Sequence, residues 1–220
     1  DHAENIFLVP EFNGDPFKAY DSKTISMKYA DTYKAYTDMM LKYSEFADNG
    51  KGAVAYTYSS NAIPDLASGK VAVIQQGNWA YGEIAKISED VAKNLTLLPM
   101  PIGGENQDAA MVSILSQYWV VNKQASDAEK KAAKDFLNWL YQSDEGKDII
   151  VNSFGFIPVF DNYGDMMPSD PLSKAVVQLS KDGKVVNAVF KGAPDGWSQN
   201  TFGAAVQAYI SGDKTWEEVV

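Results

Sequence analysis

Cysteine is absent, arginine is absent, and His2 is the only histidine in the chain. Without cysteine there is no thiol nucleophile, no thiolate metal site and no disulfide framework. An exported protein stays possible, because a chain of 220 residues can bury a core that stands without cross-links. A Ser-His-Asp constellation has no imidazole to use beyond His2, which reads as an exposed terminal residue. All 19 basic residues are lysines, set against 29 acidic ones for a net charge of −10. The planar guanidinium fork that reads phosphate, carboxylate and guanine is missing. Nucleic acid is therefore a poor partner, and a neutral ligand is expected. No apolar run reaches the roughly 18 residues a membrane span needs. No charged-then-apolar leader opens the chain either, so a signal peptide is expected to lie outside this sequence.

What is present reads as α/β. Residues 1–27 look irregular to extended, with turn signals at Asn13-Gly14-Asp15-Pro16. Tyr29, Tyr33, Tyr36, Met40, Tyr43 and Ala47 recur at helical steps and predict a helix over 28–48, stopped by Asn49-Gly50. A loop over 50–60 and a short helix over 61–68 follow. Val71 to Gln75 reads as a buried strand, Gly77-Asn78 as a break, and Trp79 to Lys86 as a helix. Further strands are expected at Leu95 to Pro101 and Met111 to Val121, the second rich in β-branched and aromatic residues. Ser126-Asp127-Ala128-Glu129 fits a capping box ahead of an apolar stripe of Ala133, Phe136, Leu137 and Leu140. Ser143 opens another helix with Asp144 and Glu145 in its first turn, and Gly155 ends it. Helices are also expected from Pro171 to Asp182 and over 199–211. Thr215-Trp216-Glu217-Glu218 is a second capping box, and one turn of helix is costly to nucleate, so continuation past Val220 is expected.

The turn Gln75-Gln76-Gly77-Asn78-Trp79-Ala80-Tyr81 is the best candidate for function. In open α/β sheets ligands bind beyond the carboxyl ends of strands, and this turn stands at such an end. There Trp79 can stack on the apolar face of a pyranose, while Asn78 and Gln76 bind hydroxyls in pairs and Tyr81 stands nearby. On composition alone, Trp79 reads more readily as core that covers the end of the sheet, since buried aromatics are common. Asp195-Gly196-Trp197-Ser198-Gln199 delivers a second tryptophan before a helix, where binding and packing both fit. Trp139 and Trp119 read as core. Carboxylates occur at loops and helix starts, where capping explains them, and no calcium loop, P-loop or histidine metal motif occurs. No catalytic residues, cofactor or metal ligands are expected.

The order of these pieces resembles the latter half of the family-1 extracellular solute-binding proteins, the carbohydrate receptors of ABC importers. The resemblance runs through the helix of Ala35 to Tyr43, then Ser68-Gly69-Lys70-Val71 stepping into the Gly77-Asn78-Trp79 turn. It continues in Pro99-Met100-Pro101-Ile102-Gly103-Gly104, Phe136-Leu137 with Ser143 and Glu145-Gly146, Gly155-Phe156-Ile157-Pro158, and Ser211 to Glu218. Lys147 stands where that family usually has glutamine. The resemblance implies a two-lobed, type II periplasmic-binding-protein-like fold. Residues 1–100 and 160–220 would form mainly the C-terminal lobe, and 105–158 part of the N-terminal lobe, much of which would lie outside this sequence. It also implies that Trp79 faces a sugar, with Trp197, or alternatively Gln199, as a second cleft contact. The expected activity is reversible capture of a neutral sugar or oligosaccharide by a monomer, with no chemistry done to it. Delivery would be to permease subunits from outside the cell, with the receptor either periplasmic or a surface lipoprotein. A receptor of the same fold for an amino acid, peptide or metal complex, or a carbohydrate-active enzyme, are the alternatives.

Overall fold

The computed structural model describes residues 2–100, 110–112 and 118–220 of the chain. Its first helix corrects the expectation of an irregular start. Helix α1 (Asn5–Phe12) buries Asn5, Ile6, Phe7, Leu8 and Val9 almost completely. A helix that is apolar all round shows no stripe for periodicity to find, and Pro10 in its last turn argues against it in sequence. Burying each of these large apolar side chains contributes about 1.5–3 kcal/mol relative to exposure. The turn signals hold their place as the α1–α2 corner. Asn13 takes a left-handed conformation (φ 53°), and the Asp15 carboxylate accepts from the backbone N–H groups of Phe17 and Lys18 at 2.9 and 3.2 Å. That caps α2 (Pro16–Ser22), with Pro16 in the first turn where its missing donor costs nothing.

Helix α3 (Ala30–Lys42) is shorter than expected. Tyr43 ends it, and the Ser44 hydroxyl then donates to the Leu41 carbonyl while accepting from the Phe46 N–H. A serine that bonds its own backbone competes with the helix, which the tyrosine spacing could not reveal. After it come α4 (Gly50–Val54), α5 (Ile63–Ala67), α6 (Tyr81–Ile87) and α7 (Glu89–Lys93). Helix α4 occupies what reads as loop, because Asn49 accepts from the Gly52 N–H and caps it. Later in the chain are α8 (Asp127–Gln142), α9 (Asp144–Asp148), α10 (Pro171–Lys181) and α11 (Gly203–Ile210). The capping box of Ser126 and Glu129 is formed, and Asp170 accepts from the Ser173 N–H at 2.8 Å.

Strands are the main departure. Among the described residues the sheet has two short parallel strands, β1 (Ala110–Val112) and β2 (Val185–Asn187), in the register Ala110–Val185, Met111–Val186, Val112–Asn187. Residues 71–77 and 95–100 carry no ladder. Val71, Ile74 and Leu95 instead pack as half-buried side chains against the helices around Ile63 and Ile84. An apolar run becomes a strand only where a neighbour takes its backbone groups, and sequence does not name that neighbour. Of the run Met111 to Val121, residues 113–117 lie outside the described residues, as do 101–104 of the proline-glycine segment.

Three apolar clusters organise the helices. The largest joins α1 to Ala19 and Ala30 and to Val189, Phe190, Phe202, Val206 and Trp216 from the far end of the chain. A second gathers Ile63, Leu66, Ala80, Ile84 and Ala92, and a third Leu140, Ile150, Val151 and Tyr163. Two tryptophans expected in a core are not there. Trp139 is 40% exposed and Trp119 is 57% exposed, its indole N–H donating to the Tyr141 hydroxyl at 2.9 Å. Helix α8 turns Leu140 inward and leaves Phe136 and Trp139 side by side on its outer face. Conversely, Trp216 is buried, packs edge-on against Tyr209, and donates to Asp31 at 3.0 Å.

Candidate functional site

Residues 73–77 belong to no helix or ladder and lead, with Gly77 extended, into a single tight turn, Asn78–Ala80, which feeds α6. The turn therefore follows an unpaired segment rather than the end of a strand. The Trp79 ring folds back over Gly77, where a Cβ would stand 2.2 Å from Cζ3, so only glycine leaves room for this pose. The indole N–H donates to Gln76 Oε1 at 3.0 Å. Trp79 is 53% exposed, so its orientation is fixed while a face stays open. The Asn78 amide donates to Ser173 Oγ at 3.1 Å, tying the start of α6 to the first turn of α10, where Ser173 is buried. Among the described residues no partner takes the amide donors of Gln76 or the side-chain carbonyl oxygen of Asn78.

His2 corrects another expectation, because it is not a free-standing end residue. Its ring lies 5.2 Å from Trp79 and meets Phe190 edge-on at 5.1 Å. Burial pushes the imidazole below its ordinary pKa, helped by the Lys191 ammonium. A base with a depressed folded value adds stability above its unfolded pKa of about 6.5, and this is lost as pH falls through the lower folded value. The urea midpoint of the native chain should therefore drop further between about pH 7 and about pH 5 than that of His2→Gln. Equal drops would sink this assignment.

Trp197 stands elsewhere. Gly196, at φ 72°, breaks the chain into a π-helical turn over Trp197–Phe202, and Trp197 stacks flat on Phe202 at 5.1 Å with 8° between the planes. Phe7 meets it from the core at 6.4 Å. Its neighbour Ser198 donates to the buried Glu4 carboxylate at 2.6 Å, and burial raises that carboxyl above its ordinary pKa. Trp197 lines a groove of about 760 Å³ between α2 and the segment 189–202, lined also by Lys214, Glu218 and Val219. Trp79 is not among its walls.

The structure thus brings Gln76, Asn78 and Trp79 together, places Trp197 on a separate groove, packs Tyr81 half-buried against the second cluster, and leaves Gln199 exposed. Sequence reading missed Ser173 and His2. The cap at Asp170-Pro171 marked the helix that carries Ser173, but nothing in the chain points to a partner 95 residues away. Among the described residues no group of three or more His, Asp or Glu could hold a metal, and no helix is long and apolar enough to cross a membrane. No curated protein and no solved structure matches the chain significantly. A family model does, over residues 2–178, and its description is bacterial extracellular solute-binding protein.

Proposed function

The chain belongs to the bacterial extracellular solute-binding proteins, and from that premise we propose that it reversibly captures a neutral sugar or oligosaccharide and delivers it to the permease of an ABC importer. Membership carries a small-molecule ligand, a transporter partner and a location outside the cytoplasm in general terms, in a family that is typically non-enzymatic. The sugar is the finer reading. What supports it is the state of Trp79: an indole pinned by Gln76 yet open on one face, with amide groups beside it. A fixed apolar plane suits the CH face of a pyranose, and the neighbouring amides suit vicinal hydroxyls. The absence of arginine fits a ligand with no charge to neutralise.

On this reading the chain is part of a two-lobed, periplasmic-binding-protein-like fold, with 1–100 and 160–220 in one lobe and 105–158 in the other. Closure around the ligand would be a hinge motion. Isothermal titration with mono- and oligosaccharides should give saturable binding that Trp79→Ala weakens about tenfold or more, the equivalent of about 1.4 kcal/mol. Because Trp79 is largely outside the core, the variant should keep its melting temperature. A screen in which amino acids or metal complexes bind and no sugar does would replace the sugar with that ligand. Sugar hydrolysis by the pure protein would replace the receptor with an enzyme.

A further inference from the structure

The groove beside Trp197 is lined by charged side chains of both signs. Leu8, Val189 and Phe202 line it, Phe202 stacked on the Trp197 ring. Lys23 and Lys214 line it too, as do Asp195 and Glu218. Glu218 is engaged, accepting from the Thr215 N–H at 2.8 Å in its capping box. Lys214 and Asp195 make no ion pair among the described residues, and Lys23 rests only on the Tyr20 ring, 3.7 Å from its centroid. Lys23 also holds a left-handed backbone (φ 57°) at the end of α2, a conformation that costs a non-glycine residue about 1 kcal/mol or more. Charged side chains of both signs therefore line one largely apolar groove.

We propose that this groove is a second ligand site, for a short zwitterionic peptide with apolar side chains. The peptide carboxylate would meet Lys23 and Lys214, its ammonium would meet Asp195, and its side chains would lie on Trp197 and Phe202. The groove's volume falls within the range of clefts that enclose small ligands and exceeds the need of a lone methyl or hydroxyl group. Charges of both signs among apolar walls suit a ligand that carries both signs better than a neutral sugar or a simple carboxylate. The site stands independently of the sugar reading, since the two tryptophans occupy different surfaces.

The test is isothermal titration of the dipeptide L-leucyl-L-phenylalanine, its N-acetyl derivative and its C-terminal amide into the purified chain. The free dipeptide should bind saturably and each capped form at least fivefold more weakly. Asp195→Asn should weaken the free dipeptide while leaving the N-acetyl form unchanged. Lys214→Gln should weaken the free dipeptide while leaving the amide unchanged. These exposed residues can be replaced without loss of fold, which an unaltered melting curve would check. Trp79→Ala should leave dipeptide affinity as it was. The proposal is overturned by any one of three results: no saturable binding, equal affinity for all three compounds, or a loss caused by Trp79→Ala and not by Asp195→Asn or Lys214→Gln.

Discussion

Asn5→Ala should cost about 3 kcal/mol or more, read as a fall in the urea midpoint at unchanged slope. Asn5 is fully buried, and its Oδ1 accepts from the backbone N–H groups of Val189 at 2.6 Å and Phe190 at 3.1 Å. Its amide donates to the His2 carbonyl at 2.8 Å. Alanine removes the acceptor and leaves two backbone donors in the main core, each costing about 1–3 kcal/mol when left unsatisfied. The cavity left by the missing amide adds to that. As a reference, Asn122→Ala removes a carboxamide that accepts from the exposed Gln124 N–H at 2.9 Å, and should cost well under about 1 kcal/mol. If the two variants unfold at the same urea concentration, Asn5 is not the tie between α1 and the turn at Val189–Gly192.

A second large effect is expected at Gly192, which lies buried where that turn crosses α2. A Cβ there would stand 2.2 Å from the Pro16 carbonyl oxygen and 2.8 Å from the Ala19 Cβ. Neither is the end of a flexible chain, so α2 must shift away. Gly192→Ala should destabilise by about 1–3 kcal/mol, the usual cost of overpacking. It should also disturb the groove, because α2 supplies one wall through Ala19 and Tyr20 while Gly192 and Ala193 supply the facing one. Gly82→Ala is the informative contrast. Gly82 sits in α6 facing open space, so a methyl group there should stabilise by up to about 1 kcal/mol through helix propensity. Melting curves that move the same way for both variants would contradict the close approach at Gly192.

The parts of the fold legible in the sequence were those whose cause is local. Ser126 with Glu129, Ser143 with Gly146, and Asp170 with Ser173 each satisfy backbone donors within three residues, so a short pattern suffices to place the helix start. Legibility ended where the deciding partner is distant. Helix α1 has no stripe because it is buried on all sides, and Val71 to Gln75 has strand composition without a strand beside it. The exposure of Trp139, expected in the core, and the burial of Trp216 were hidden for the same reason. Which face of α8 is covered depends on Ile150 and Tyr163, and Trp216 is held by Asp31, 185 residues earlier.

The candidate site divides along the same line. Gln76 and Trp79 are three residues apart in one turn, and their contact follows from that spacing. The bond between Asn78 and Ser173, and the placing of Trp197 on a groove apart from Trp79, depend on how α10 and α11 dock. No short pattern encodes that docking.

The central position of α1 has a consequence in time as well as space. Its partners Val189, Phe190, Phe202 and Ser198 lie far along the chain, and the ties from Asn5 and Glu4 close over 184, 185 and 194 residues. Closing such loops carries a large entropic cost before any contact is gained, so the main core forms late and slowly. Until Val189 arrives, Ile6, Phe7, Leu8 and Val9 can pack only against the earlier members of that core, among them Ala19, Ala30 and Tyr33. The second and third clusters draw their buried members from residues 63–92 and 140–163 alone, so they can form before the long-range ties close the main core.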